Sequence, residues 1–528
     1  ERIEIMRGSG AVLYGGGATG GTINIITRTP RAGEKSALLF GGAGSYGTRD
    51  ARGTVVVAGE RAGIAVSANQ LESDNYRDNN HVRQRNAEVD ARFGDATRFF
   101  SIKVGGDEQD LRNPGVRTAA QLITDRRGAT TPDDFSSRSG SRMNLGAGWR
   151  FGDNDLAVNL TYRDREARSI QSFLGAVTDL TTQVDTWALS PRLRMPFTVG
   201  GLPNTLVVGG DVDEWNYDSL FLGGFFNSHA LATQRNRAVY VQDNLQLTGD
   251  LRLMAGARLQ RSENAITELL PAPATVGKSH SPRAYELALR YRLARGAALF
   301  GKIGRSFRIA TVDDNRFQPT LLEPQTSQDR EIGVDLETDR LRLRAAVFQM
   351  RLENEITFSP LFGLFGANIN LSPTQRQGLE LDTQWTLTKS LSVFANLALI
   401  DAEFRSGVYG GVDVSGNEVP LVPKQTLAVG GSWRIDQRTT LSVFARHVGT
   451  QRFDNDQANT FPSSMPTYTT VDVKLGHETG GWQLAATVRN LTSEKYFSYG
   501  IRNAAGTSFN AYPAPERSVF VSAQYRFQ

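Results

Sequence analysis

The sequence contains no cysteine and only five histidines, and these shortages exclude several kinds of chemistry. Without cysteine there is no disulfide scaffold, no thiolate ligand for zinc and no thiol nucleophile. The histidines lie far apart along the 528 residues, without metal-ligand spacing. The sequence motifs of a P-loop, of a serine-hydrolase elbow and of a zinc protease are also absent. We therefore expect no enzymatic activity and no resident cofactor.

The sequence also lacks long hydrophobic runs and a strong charge of either sign. A helical membrane protein needs about 18 or more consecutive apolar residues for each span, and no such run occurs here. A net charge of +4 over the whole chain is too dilute to indicate a nucleic-acid partner. The first residues lack the charged start and apolar centre of a signal peptide. These absences leave an all-β protein as the main possibility.

Strict alternation of apolar and polar residues is abundant along the chain. In the segment 379–387, leucine, threonine and tryptophan occupy the odd positions, whereas Glu380, Asp382, Gln384 and Thr386 occupy the even positions. A period of two residues predicts strands with one apolar and one polar face. The segments run for about ten residues, longer than typical globular strands, and about ten tilted residues cross a bilayer.

The connections between these segments alternate between short and long. Long polar connections include 108–140, 308–327 and 491–515. Short turns on one side and long loops on the other are typical of an outer-membrane barrel. Ten short turns predict a barrel of about 22 strands running from Ser36 to Phe527. The short turns fall near 59–63, 93–98, 151–155, 195–204, 248–250, 293–297, 337–340, 388–390, 435–439 and 478–481.

All six tryptophans lie near the ends of predicted strands. Tryptophan is favoured at the membrane–water interface, because its ring is largely apolar while its N–H needs a polar partner. We therefore expect an interfacial position for each of them. They are Trp149, Trp187, Trp215, Trp385, Trp433 and Trp482.

The segment Gly42–Gly47 matches the spacing GxGxxG, which can bind a dinucleotide when it opens a helix. Here Thr54–Ala58 follows as a strand-like run. We expect these glycines to relieve crowding in the first barrel strand instead.

The first 28 residues break the alternation and are dense in glycine, with seven glycines between Gly8 and Gly21. They closely resemble the end of the plug domain in TonB-dependent outer-membrane receptors. Further matches to that family occur in the middle and near the end of the chain. The motifs are Glu1–Glu4, Arg7-Gly8, Tyr14-Gly15, Gly20–Thr27, Leu322–Ser327, Glu331–Gly333 and Arg489–Thr492.

The resemblance implies residues 1–32 as the C-terminal end of a plug, and residues 33–528 as a 22-stranded barrel in the bacterial outer membrane. Because only the end of a plug is present, we expect the chain to be truncated at its N-terminus. The implied function is active, TonB-driven uptake of a scarce iron chelate, a siderophore, by a monomer embedded in outer-membrane lipid. Uptake of cobalamin, haem or another metal or cofactor complex, and a passive pore, remain alternatives.

Aromatic and arginine residues in the long loops are the candidate ligand contacts. Aromatic rings supply contact area, and arginines supply charge-assisted hydrogen bonds to chelate oxygens. We expect these residues to come from four loops that meet over the mouth of the barrel. They are Phe225, Phe226, Arg316, Phe317, Phe362, Phe365, Tyr499 and Arg502.

Two metal-related alternatives are weaker. Acidic residues around 107–134 could suit calcium, since calcium prefers carboxylate oxygens; they are Asp107, Glu108, Asp110, Asp133 and Asp134. Phe307–Ala310 partly matches a segment of the haem receptors, but no histidine follows before Pro324 to bind iron.

Overall fold

The computed structural model describes residues 2–173, 175–316, 318, 320–362, 366–503 and 505–527. No helix in these ranges is long and apolar enough to cross a membrane. The elements in chain order are β1 (Arg2–Arg7), α1 (Ala11–Tyr14), β2 (Gly21–Ile26), β3 (Lys35–Gly44), β4 (Thr48–Ala58), β5 (Ala62–Ser73), β6 (Val82–Gly94), β7 (Arg98–Arg112), β8 (Arg117–Thr118), α2 (Gln121–Thr124), β9 (Phe135–Phe151), β10 (Asn154–Phe173), β11 (Ala176–Val199), β12 (Leu202–Gly223), β13 (Ser228–Gln246), β14 (Leu251–Leu270), β15 (Ala274–His280), β16 (Arg283–Ala294), β17 (Ala297–Arg308), α3 (Val312–Asn315), β18 (Gln325–Glu337), β19 (Leu341–Glu353), β20 (Ile356–Ser359), β21 (Ala367–Asn370), β22 (Thr374–Thr386), β23 (Leu391–Phe404), β24 (Val408–Tyr409), β25 (Val412–Asp413), β26 (Gln425–Arg434), β27 (Thr439–Val448), β28 (Tyr468–Thr479), β29 (Trp482–Arg489), β30 (Phe497–Arg502), β31 (Phe509–Pro513) and β32 (Ser518–Phe527).

The long strands close into one antiparallel barrel of 22 strand positions, which confirms the predicted fold and strand number. β15 and β16 both pair with β14, one with its second half and the other with its first half, so they share one position. The barrel closes where β3 pairs with β32. The remaining short strands form small sheets that are not part of the barrel wall: β1-β2, β20-β21, β24-β25 and β30-β31-β8.

The ten predicted short turns all lie at one end of the barrel, which we call the turn end. The opposite, loop end differs from prediction in one region. Strands β10 to β14 contain 19 to 24 residues, about twice the length that a bilayer requires. The expectation that Phe225 and Phe226 belong to a long loop is therefore wrong: β12 continues to Gly223 and β13 starts at Ser228, so these residues form the tip of an extended hairpin.

The two faces of the wall differ in polarity, as alternation predicts. Outward-facing Val239 and Leu259 pair directly across β13 and β14 and are 63% and 57% exposed. On the inner face, Arg258 donates to Asp211 at 2.7 Å. Such apolar outer surface needs lipid around it.

Residues 2–26 lie inside the barrel. Ala11 and Val12 of α1 are buried against the inward-facing side chains of Tyr240 and Phe307. The Gly17 amide donates to the Phe307 carbonyl at 2.9 Å. Gly17 has a φ of 93°, so a side chain at this turn would be strained.

Polar contacts also hold this segment to the wall. The Arg7 guanidinium donates to Glu380 at 3.0 Å and to Asp382 at 2.9 Å. The Lys302 ammonium donates to the Ser9 carbonyl at 2.6 Å. Hydrogen bonds to charged groups contribute more than neutral ones, and here they join the segment to strands β17 and β22.

The loops fold into a compact layer at the loop end. Segments from two loops share one apolar cluster: Phe453, Phe461, Met465, Phe497 and Ala511. Strand β31 pairs with both β30 and β8, so the connection after β7 and the connection before β32 form one small sheet. The loop layer therefore has its own core, and exposed side chains in it are held by packing beneath them.

The glycines of the GxGxxG segment lie on β3 and on its turn into β4. A Cβ at Gly42 would collide with the Phe520 ring, and a Cβ at Gly44 would lie 2.5 Å from the Val519 carbonyl oxygen. These two glycines allow β3 to approach β32 at the closure of the barrel.

Candidate functional site

The predicted ligand contacts lie in three places around the loop end, and two of the eight are outside the described residues. Those two are Phe317 and Phe365. The other six divide into a hairpin-tip group, a second group around β24, and a third group on β30. In that order they are Phe225, Phe226 and Arg316; Phe362; and Tyr499 and Arg502.

In the hairpin-tip group, Arg316 acts as a support. It is only 9% exposed and donates to the Ser228 hydroxyl at 3.2 Å and to the Ser219 carbonyl at 3.4 Å. These serines lie on β13 and β12, just below the tip that carries Phe225 and Phe226. The guanidinium therefore joins the segment after α3 to the hairpin and is turned away from solvent.

The two phenylalanines of the tip differ in exposure. Phe226 stacks on Phe221 with ring centroids 5.0 Å apart. Phe225 is 57% exposed. Phe225 is therefore the member of this group that presents an aromatic surface to an incoming molecule.

Phe362 belongs to the second group and packs against β24. Its ring centroid lies 6.2 Å from that of Tyr409. The Tyr409 hydroxyl is 2.6 Å from the Ser359 hydroxyl. Burial raises the pKa of Tyr409, and the nearby Asp454 carboxylate adds to the increase.

Tyr499 and Arg502 form the third group. The Tyr499 hydroxyl donates to the Asp454 carboxylate, and its ring centroid lies 5.8 Å from that of Tyr512. Burial, followed by the hydrogen bond to Asp454, raises the pKa of Tyr499. The Arg502 amide donates to the Asp454 carbonyl at 2.9 Å. Asp454 thus holds both members of the third group, through its carboxylate and its backbone carbonyl.

The loops that carry the three groups are hydrogen-bonded one to the next. Gln318 donates to the Asn368 carbonyl at 2.7 Å, and Asn417 donates to the Gln457 carbonyl at 3.1 Å. The Ser359–Tyr409 and Tyr499–Asp454 contacts complete the connections. Each loop is thereby held by its neighbour around the mouth.

Sequence reasoning missed Trp215. Five tryptophans face outward, as expected for an interfacial belt, but Trp215 faces the lumen and is 43% exposed. It shares its parity with Asp211 and Asp213, and its indole N–H donates to Asp213 at 2.7 Å. The expected interfacial position is therefore wrong for Trp215. Asp211 and Asp213, at alternate positions before Trp215, were the sequence signal that could have indicated a lumenal position.

The acidic residues considered for calcium do not come together. Asp107 faces the lumen beside Arg142, at 3.7 Å, whereas Asp110 pairs with Arg83 at 2.7 Å on the other face of β7. Asp134 accepts hydrogen bonds from the amide and hydroxyl of Ser172. No group of three or more potential metal ligands is present among the described residues.

The structure is a closed barrel with an apolar outer face and a chain segment bound in its lumen. It has tight turns at one end and folded loops at the other. These features define a plugged outer-membrane receptor barrel. The family model for the TonB-dependent receptor-like β-barrel matches residues 63–491. The chain belongs to the TonB-dependent receptor family and is a protein of the Gram-negative outer membrane. This family consists of receptors and transporters, not enzymes.

Relatives and solved structures agree with this assignment. The chain is 22% identical to the vitamin B12 transporter BtuB of Vibrio vulnificus, over all of this chain and 79% of the relative. It is 23% identical to the ferric enterobactin receptor PirA of Pseudomonas aeruginosa, over 85% of this chain and 68% of the relative. The structure of the ferric yersiniabactin uptake receptor FyuA from Yersinia pestis superposes with a TM-score of 0.87 at 18% identity, covering 100% of this chain and 85% of that one. The siderophore receptor PiuA from Acinetobacter baumannii gives a TM-score of 0.85 at 17% identity, covering 99% and 86%.

Proposed function

We propose that this protein imports an iron chelate of the siderophore type across the outer membrane, with energy supplied through TonB. The observation that carries the proposal is the combination of exposed aromatic side chains at the mouth with a chain segment held in the lumen below them. A passive pore needs neither. The iron-chelate receptors among the relatives support the choice of cargo.

In this proposal, residues 1–32 are the end of the plug and residues 33–528 are the barrel. Phe225, Phe362 and Tyr499 make the first contacts with the ligand. Arg316 and Arg502 support the loops, and the interacting unit is a monomer in outer-membrane lipid. Movement of the segment away from the wall then breaks the Arg7–Glu380 and Lys302–Ser9 contacts, which hold it in the resting state, and opens a route through the lumen.

Uptake of radioactive iron chelates by cells provides the test. The full-length gene that encodes this chain is expressed in a strain lacking its own receptors, with and without functional TonB. We expect TonB-dependent accumulation of iron with at least one siderophore. Equal uptake without TonB would indicate a passive pore, and accumulation of cobalamin without iron would replace the cargo.

Equilibrium binding of the chelate to whole cells tests the aromatic contacts. We expect the triple substitution Phe225→Ala, Phe362→Ala and Tyr499→Ala to weaken chelate binding about tenfold or more, because a binding hot spot contributes about 2 kcal/mol or more. Ile123→Ala is the matched control, since Ile123 is an exposed apolar residue of another loop. Unchanged affinity with normal barrel assembly would mean that these rings only pack the loops.

A further inference from the structure

Four arginines form a patch on the inner wall of the barrel, below the loop layer. Arg138 and Arg142 lie on β9, and Arg163 and Arg165 lie on β10. We call them the lumen arginine patch. None was among the ligand contacts expected from the sequence.

The pairing register shows that the patch faces the lumen. Lys103 donates to the Thr27 hydroxyl at 2.9 Å, and Thr27 follows β2 of the lumenal segment. Lys103 pairs with Asn144, which pairs with Thr161. Arg142 and Arg163 lie two residues beyond Asn144 and Thr161 on their strands, and therefore on the same face.

The patch has more positive charge than its carboxylate partners neutralise. Arg142 donates to Glu88 at 2.6 Å, and both Arg142 and Arg138 approach Asp107, at 3.7 Å and 3.6 Å. Among the described residues, Arg163 and Arg165 form no ion pair with a carboxylate. Four guanidinium groups therefore share two carboxylates.

The clustering of four guanidinium groups around two carboxylates is unfavourable for folding, because like charges repel. Arg142 and Arg163 are direct cross-strand partners, and like charges at directly opposed positions repel. Inside a channel with low-dielectric walls the positive potential is focused along the lumen, which raises the local concentration of anions. A planar guanidinium binds two oxygens of one anionic group at once.

An aromatic face lies beside the patch. Arg163 pairs with Thr186, and Thr186 pairs with Trp215, so one cross-strand row joins Arg163 to Trp215. Strands are about 4.8 Å apart, which places these two backbones about 10 Å from each other. A ligand that carries an anionic group and a flat ring within this distance can reach both.

From this geometry we infer that the lumen arginine patch and Trp215 form a binding site for an anionic, aryl-bearing chelate on its way through the barrel. Arg163 and Arg165 bind its carboxylate or phenolate oxygens, and Trp215 packs against its ring. The inference rests on the proposed uptake function and names the charge class of its cargo. A neutral chelate would gain nothing from the arginines.

The test compares two iron chelates of similar size on the purified full chain in detergent, by equilibrium dialysis. The ferric dihydroxybenzoate complex is anionic and aromatic, and the ferric acetohydroxamate complex is neutral. We expect the double variant Arg163→Gln and Arg165→Gln to bind the anionic complex about tenfold more weakly or worse. Binding of the neutral complex should change less than about twofold, and salt should weaken only the anionic complex.

The matched control is Arg52→Gln with Arg290→Gln, which removes two lumenal arginines that are paired with Asp50 and Asp335. We expect this variant to bind both complexes like the wild type. A second pair isolates the ring: Trp215→Leu should weaken the anionic aromatic complex, while Trp187→Leu, facing outward one position from Thr186, should not.

The inference is overturned if both double arginine variants bind the anionic complex equally weakly, or if neither binds it more weakly than the wild type. It is also overturned if the wild type does not bind the anionic complex. Electrophoretic mobility without heating confirms that every variant is a closed barrel. Failure of the proposed function is recognised separately, as wild-type protein that imports no iron in cells. Import that is unaffected by Arg163→Gln and Arg165→Gln would refute only the site.

Discussion

Single side chains in the loop layer differ in whether they are available to a ligand, and Arg316 illustrates the difference. Its guanidinium donates hydrogen bonds to the Ser219 carbonyl and the Ser228 hydroxyl. We expect Arg316→Gln to increase hydrogen exchange in the segment 309–324 about tenfold or more, because hydrogen bonds to a charged group contribute about 1.5–3 kcal/mol. Arg342→Gln is the control, because Arg342 forms an exposed ion pair with Glu337 at the turn end. Loss of chelate binding with unchanged exchange would instead make Arg316 a direct ligand contact.

Tyr76 provides a pH-dependent test at the same scale. It is buried, and its hydroxyl donates to Glu516 at 2.8 Å, which ties the connection after β5 to the residues before β32. Burial, followed by the hydrogen bond to Glu516, raises the pKa of Tyr76 from 10.0 to about 12.

A raised tyrosine pKa means that the folded loop retains the proton more strongly than the open loop. The stabilisation is therefore complete below pH 10 and is lost as the pH rises to about 12. We expect protease cleavage of the connection 74–81 to accelerate in this window in the wild type. Tyr76→Phe cannot ionise and should show a flatter profile, so identical profiles for the two proteins would contradict the prediction.

At the scale of elements, the closure of β3 on β32 depends on glycine. A Cβ at Gly44 would lie 2.5 Å from the Val519 carbonyl oxygen, whereas a Cβ at Gly41 meets nothing within 4 Å. We expect Gly44→Val to impair barrel assembly, because every strand in a bilayer needs its backbone partners. Gly41→Val should assemble normally. Mobility on unheated gels and protease resistance in membranes measure both variants, and equal assembly would refute the role of Gly44.

The lumenal segment is the second element with a defined test. Arg7 joins it to Glu380 and Asp382, whereas the one ion pair of Arg2 within the described part of the chain is with Glu4 of its own strand. We expect Arg7→Gln to make residues 2–26 more accessible to protease and to increase channel opening in planar bilayers. Arg2→Gln should have little effect, since an exposed pair contributes about 0–1 kcal/mol. Similar behaviour of the two variants would show that the contacts of Arg7 are not needed to hold the segment.

For the whole molecule, the proposed function depends on three parts. The loop layer covers one end of the barrel, the wall encloses the lumen, and the lumenal segment lies within it. The loop layer holds exposed rings above a packed core, and the wall presents charge to the lumen. A ligand that enters from the loop end therefore meets aromatic surface first and arginine afterwards. This order is the reason that we assign capture to the mouth and an anion-selective step to the wall.

Much of this organisation was determined by the sequence alone. Alternation and turn residues are local properties, so ten turns, the barrel and about 22 strands could be read directly. The inward face could be read as well, because the polar residues of a membrane barrel strand face the lumen and the apolar ones face lipid. Trp215 was the exception: its nearness to a predicted strand end gave it an interfacial position, although its alternation with Asp211 and Asp213 was available as a signal.

Only the tertiary structure decided which loop residues support and which remain exposed. Arg316 and Ser219 are almost a hundred residues apart, and Tyr499 reaches Asp454 across two loops. Such contacts join segments distant in sequence, and their partners are chosen by packing and strand register, which no local pattern encodes.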